Sequence, residues 1–263
     1  GIDMRNGPIR QSFSASGATF SRFLLNLQSD SYIITLTFSY WRECGVSQVV
    51  SVISGKGGTG KTSLCAGISS CLAAEGSQVL CIDADVGLRN LDLSLGMSEE
   101  PILPFTAVMR GEYSLDSAAA HPEIPNLYML TAPVTETAEE LDAAQFSAML
   151  DAARQRFDWI LIDAPAGIGA GFHLATGSAD QAIVVAGSDP ASLRDAARAT
   201  DVLLQQRSIP ARLVVNRVSA ALYRRMHATI DDVMDGVGLP LLGIVPEDSS
   251  VTLAAAAGTA LAL

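Results

Sequence analysis

The sequence predicts an α/β fold of three layers: a mostly parallel, doubly wound sheet with helices on both faces. Three observations carry this. From Val46 onward, apolar runs of strand length alternate with stretches of helical period, the pattern of successive βαβ units. The segment Gly55-Lys-Gly-Gly-Thr-Gly-Lys-Thr62 stands between the first such run and the first such helix. Two later runs end on carboxylates, Asp83 and Asp163, where apolar surroundings give a charge little structural reason to be.

Taken in order, Gln48 to Ser54 reads as a buried strand. Lys61 to Ala74 reads as a helix with Leu64, Ile68 and Leu72 on one face. Further strands are predicted near 78–83, 127–131, 158–163, 181–186, 211–216 and 241–245, and further helices over 137–156, 191–206 and 226–235. The stretch from Pro101 to Pro125 is loop-rich with a short helical piece around Phe105 to Arg110, and is a candidate partner-facing surface. No internal repeat is visible. In such a sheet the ligand belongs at the carboxyl ends of the strands.

At 49% hydrophobic residues the chain can bury one sizeable core. The net charge of −11 argues against binding nucleic acid by neutralising its phosphates, and no specific nucleic-acid partner is expected. Arg224 and Arg225, the best local basic patch, read as a solvated helix face. Cys44, Cys65, Cys71 and Cys81 include no C-x-x-C pair, so they do not suggest a metal site; the last three lie in apolar stretches and read as core thiols. His121, His173 and His227 are scattered and are assigned no chemistry. Tyr32 to Trp41 is too short and too often interrupted to span a membrane, and it lacks the layout of a signal peptide.

The octapeptide fits the phosphate-loop pattern G-x-x-x-x-G-K-[ST], whose fixed positions arise by chance in roughly one chain in a hundred of this length. Strand, glycine loop and helix N-terminus together make the match far more specific. Gly57, Gly58 and Gly60 let the backbone close on a polyphosphate, Lys61 offers a point charge, and the Thr62 hydroxyl suits Mg²⁺. Asp163 beside such a loop reads as a Mg²⁺ partner, with a turn-capping carboxylate as the alternative. Asp83 and Asp85 leave another strand two residues apart and so on one face; turn capping is the alternative for these as well.

Lys56, directly after the first glycine, narrows the field. Gly-Lys-Gly-Gly-Thr-Gly-Lys-Thr resembles the deviant Walker A loop of the ParA/MinD ATPases, in which the early lysine reaches across a dimer to the partner's nucleotide. Cys81 to Gly96, with its Gly-Leu-Arg-Asn-Leu-Asp run, resembles the MinD switch I segment. Phe157 to Ile168 resembles the Walker B strand and switch II, and Gly243 to Asp248 the late strand and loop that close over the base. The likeness runs from about Val46 to about Thr252.

This resemblance implies a P-loop NTPase fold that binds ATP and Mg²⁺ and transfers a phosphoryl group to water. The nucleotide would be held by Gly55, Lys56, Gly57, Gly58, Thr59, Gly60, Lys61, Thr62, Asn216, Pro246, Glu247 and Asp248, with Asn216 reading the adenine edge. A simple turn asparagine is the alternative there. Lys56, Lys61 and Asp85 would be catalytic, and Thr62, Asp83 and Asp163 would hold the metal. The implied function is an ATP-dependent homodimeric switch that places the division site and answers to a division-inhibitor or activator protein. The alternative is a partition or flagellar-number positioning ATPase. A ligase or kinase such as a dethiobiotin synthase has no use for Lys56.

Residues 1–45 are rich in serine, asparagine and arginine and then turn strand-like over Ile33 to Tyr40. They are expected to be a non-native or disordered extension of an ATPase domain over 46–263; a regulatory arm is the alternative. MinD proteins end in a basic amphipathic helix, whereas Val251 to Leu263 has no cation or aromatic anchor and fits the beginning of a last core helix. The C-terminal end is therefore expected to be truncated. The expected location is cytoplasmic, and at the inner face of the membrane if the missing helix exists.

Overall fold

The computed structural model describes residues 13–15, 18–20, 46–219 and 230–257. The expected strand over Ile33–Tyr40, Cys44, Arg224, Arg225, His227, the start of the 226–235 helix and residues 258–263 lie outside the described residues. Phe13–Ala15 (β1) and Ala18–Phe20 (β2) pair as a short antiparallel hairpin.

The strands that follow are β3 (Gln48–Ser54), β4 (Val79–Asp83), β5 (Ala119–Ala120), β6 (Leu127–Leu130), β7 (Trp159–Ala166), β8 (Gln181–Gly187), β9 (Ala211–Val218) and β10 (Leu241–Pro246). They form one sheet in the order β10-β9-β8-β3-β7-β4-β6-β5. Every pairing is parallel except the edge pair β5 and β6. The helices are α1 (Lys61–Ala74), α2 (Leu91–Leu95), α3 (Phe105–Met109), α4 (Ala143–Ala153), α5 (Ala170–Gly177), α6 (Pro190–Gln206), α7 (Ile230–Val237) and α8 (Ser249–Ala257).

Strand β3 shows why the sheet is covered twice. Its residues alternate between two cores: Val49 and Ile53 join the layer that holds Phe146, Phe172 and Leu203, while Val50 and Val52 join the layer that holds Cys65, Ile68 and Leu72. A parallel strand sandwiched in this way has no solvent face: its four apolar residues divide between the two cores, and Ser51 and Ser54 are buried with them.

Four differences from the sequence reading have physical causes. The single helix expected over 137–156 is two pieces, a 3₁₀ turn at Ala138–Glu140 and α4. Between them Leu141 is extended, and Asp142 caps α4 by accepting from the N–H groups of Ala144 and Gln145. An aspartate at that position ends one element and starts another. Strand β5, two residues long, carries no periodic signal. Helices α2 and α5 fall where the sequence reading placed no helix. Strand β7 continues to Ala166, past the expected end at Asp163.

Candidate nucleotide-binding site

Loop 55–60 leaves β3 at the centre of the sheet and enters α1 directly. Gly58 and Gly60 have φ of +78° and +81°, a region that costs any other residue strain. A side chain at Gly55 would lie 2.1 Å from the backbone oxygen of Asp195 in α6, so this glycine lets the loop and that helix meet. Gly60 is the N-cap of α1 and brings no side chain to the first turn, so the helix N-terminus keeps its free donors and its positive dipole end.

Behind the loop, Asp163 on β7 accepts from Lys61 Nζ at 2.5 Å, and both groups are buried. Burial pushes the Asp163 carboxyl up to about 6, against the pull of Lys61. The Thr62 side chain, at the start of α1, adds a weaker influence that lowers the Asp163 carboxyl. Asp83 lies in register with Asp163 on the neighbouring strand β4. Its carboxylate is engaged by the backbone: Oδ1 accepts from Asp85 N–H at 2.9 Å, and Oδ2 from the N–H groups of Asn90 and Leu91 at 3.1 Å each. These are the contacts of the turn-capping alternative. They fold the 85–90 loop back onto β4 and start α2. Burial raises Asp83 and Asp85 as well, and in both the Lys61 charge opposes the rise. Asp85 is half-buried and belongs to the same charge group.

At the outer rim, Lys56 Nζ pairs with Asp189 Oδ1 at 3.3 Å. Asp189 is also the N-cap of α6, accepting from Ser192 N–H, and these contacts hold its carboxyl below the ordinary range. Asn216, at the end of β9, points under the loop: Nδ2 donates to the Thr59 carbonyl at 2.8 Å, and Oδ1 accepts from Arg217 N–H at 2.9 Å. Each amide end thus makes one bond within the protein and keeps one further N–H and one further lone pair. Arg217 donates from Nη1 to the Gly58 carbonyl and from Nη2 to Glu247. Asp248 caps α8 through Ser250 N–H, and Pro246 ends β10 opposite Val218. Lys56, Thr59, Asp189, Arg217 and Glu247 line a cleft of about 210 Å³.

The sequence reading missed Arg217 and Asp189. The Asp-Pro pair at 189–190 is a helix-start signal and could have found the cap. Nothing in the sequence announces the pairing with Lys56, or that Arg217 takes a φ of +59°. Cys65, Cys71 and Cys81 are free and their thiols are raised by burial, Cys71 to about 11 and Cys81 to about 12; Cys65 and Cys81 are core thiols, whereas Cys71 is only partly buried. Among the described residues no group of His, Cys, Asp and Glu is arranged to hold a metal by itself, and no helix is long and apolar enough to cross a membrane.

A nucleoside polyphosphate suits this arrangement. The buried Thr59 hydroxyl has no hydrogen-bond partner, the α1 N-terminus is uncapped, and Lys61 stands at the loop's end. Thr62 and Asp163 form an oxygen pair suited to Mg²⁺ beside it. Residues 50–261 match the model of the CobQ/CobB/MinD/ParA nucleotide binding domain. The septum site-determining protein MinD of Synechocystis sp. is 34% identical over 83% of this chain and 83% of its own length. The MinC:MinD cell division protein complex of Aquifex aeolicus superposes with a TM-score of 0.72 at 31% identity, covering 81% of this chain and 86% of that one. MinD of Pyrococcus horikoshii, solved with Mg-ADP, gives 0.69 at 28% identity over 82% and 87%. The chain belongs to the CobQ/CobB/MinD/ParA nucleotide-binding family, and on this evidence to its MinD-like ATPases.

Proposed function

We propose that the protein is a MinD-type ATPase that dimerises with ATP and takes part in placing the division site. The observation that carries this is the pair of lysines on one glycine loop. Lys61 is buried against Asp163, while Lys56 stands at the rim on an exposed carboxylate. The inner lysine belongs to the chain's own phosphates. The outer one is free to leave Asp189 for a charge supplied from outside, the nucleotide of a second copy.

In this reading the Thr59 to Thr62 backbone and Lys61 bind the phosphates, and Thr62 and Asp163 would hold Mg²⁺, whose charge would offset that developing on the phosphate oxygens. Asp85 orients the attacking water, and Asp83 keeps the Asp85 loop in place. A monomer lacks part of its charge clamp, so hydrolysis waits for the partner's Lys56. The MinC:MinD cell division protein complex of Aquifex aeolicus supports a partner protein of the cell-division machinery. Deleting the gene in its own host should displace septa and release minicells. Normal septa with mislocalised plasmids or flagella would support the cargo-positioning alternative instead.

A further inference from the structure

We infer that Asn216 and Arg217 form a clamp that sets the phosphate loop, holding two of its peptide groups so that their N–H groups face the polyphosphate. The inference rests on the nucleotide-binding reading of the loop and goes beyond it. Two successive carbonyls of the loop are gripped from β9: that of Thr59 by Asn216 Nδ2 at 2.8 Å and that of Gly58 by Arg217 Nη1 at 3.2 Å. In a planar trans peptide the carbonyl and the following N–H point in opposite directions. Drawing these carbonyls toward β9 therefore turns the N–H groups of Thr59 and Gly60 away from it. Those donors lie just ahead of α1, where an anion would sit.

Three independent features fit this clamp. Gly60 has no side chain where a Cβ would lie 2.3 Å from Asn216 Nδ2, so the amide has room only because position 60 is glycine. Arg217 takes a φ of +59°, a left-handed conformation uncommon outside glycine. From there its exposed guanidinium reaches the Gly58 carbonyl at one end and Glu247, 3.0 Å away, at the other. The Asn216 Oδ1 bond to Arg217 N–H ties the two halves together. Glu247 lies beyond β10, so the strand carrying the late loop braces the first loop through Arg217.

Competition binding separates this role from base reading. A fluorescent ATP analogue with Mg²⁺ is displaced by ATP, by GTP and by inorganic tripolyphosphate, for wild type, Asn216→Asp, Arg217→Gly and Arg217→Lys. Asn216→Asp replaces the donor with an oxygen facing the Thr59 carbonyl. It should weaken ATP and tripolyphosphate by the same factor, about tenfold, and leave the ATP to GTP ratio unchanged. Arg217→Gly relieves the left-handed backbone while removing the grip on Gly58, so thermal stability without ligand should hold or rise as tripolyphosphate affinity falls. Arg217→Lys should recover part of that affinity. Loss of ATP affinity with tripolyphosphate binding intact would assign Asn216 to the base and overturn the clamp. Stability and affinity falling together in Arg217→Gly would reduce Arg217 to a structural residue and overturn its half. A wild type that binds no ATP would sink the nucleotide reading itself, a separate result.

Discussion

The single residues that the site depends on are those whose neighbours leave them no alternative. Gly55 is one, since any side chain there meets the α6 backbone at Asp195. Gly55→Ala should cost about 3 kcal/mol in urea unfolding, the scale of forced overpacking, whereas Gly57→Ala, with only the Ala166 Cβ at 4.0 Å, should leave stability nearly unchanged. Lys61 and Asp163 are a second case. Removing the lysine leaves a buried carboxylate without its cation, so Lys61→Ala should destabilise by about 3 kcal/mol, and adding Asp163→Asn should recover much of this. The pH dependence follows in sign. Burial raises the Asp163 carboxyl from 3.8 to about 6, so the folded protein favours its protonated form. Its contribution to stability is complete below 3.8 and is lost as pH rises through about 6. Burial gives Asp83 and Asp85 the same direction. Melting across this range should therefore show a fall in stability for wild type that Asp163→Asn makes shallower; an unchanged slope would refute the assignment. The glycines, Lys61 and Asp163 were legible in the sequence because a short motif fixes them. Turn capping by Asp83 stood among the sequence's alternatives, but its partners at residues 90 and 91, and the bond from Asn216 to Thr59, depend on where those residues end up in space.

Elements bounded by an abrupt change in sequence pattern were the legible ones. Helix α1 and strand β3 have the boundaries that the sequence predicts, since a glycine loop separates a buried run from a helical one. The 137–156 region was misread because apolar spacing continues through Leu141 while the backbone does not. Two caps decide the matter. Thr137 and Glu140 form a reciprocal capping box, and Asp142 starts α4 afresh. Asp142→Ala should cost about 1 kcal/mol, and Asp142→Asn much less, measured by chemical denaturation. Equal losses in the two would mean that the cap bond is not what stabilises α4. The two-residue β5 is set by antiparallel pairing with β6 across a short connection, and two residues are too few to show a periodic pattern.

At the scale of the whole molecule the alternation of strands and helices gave the fold class, but not the strand order. β3 lies between β7 and β8, which brings Lys56, Lys61, Asp163 and Asp189 to one edge from segments far apart in sequence. That edge carries the central claim: Lys56 is held by Asp189 until a partner's nucleotide takes it. Sedimentation velocity with no nucleotide, Mg-ADP and Mg-ATP, on wild type, Lys56→Ala and Asp85→Ala, tests this most directly. Wild type should dimerise only with Mg-ATP. Asp85→Ala should accumulate as a stable dimer because hydrolysis stalls, and Lys56→Ala should bind ATP yet remain largely monomeric. A wild type that stays monomeric with Mg-ATP, or a Lys56→Ala protein that dimerises and hydrolyses as well as wild type, would contradict the account.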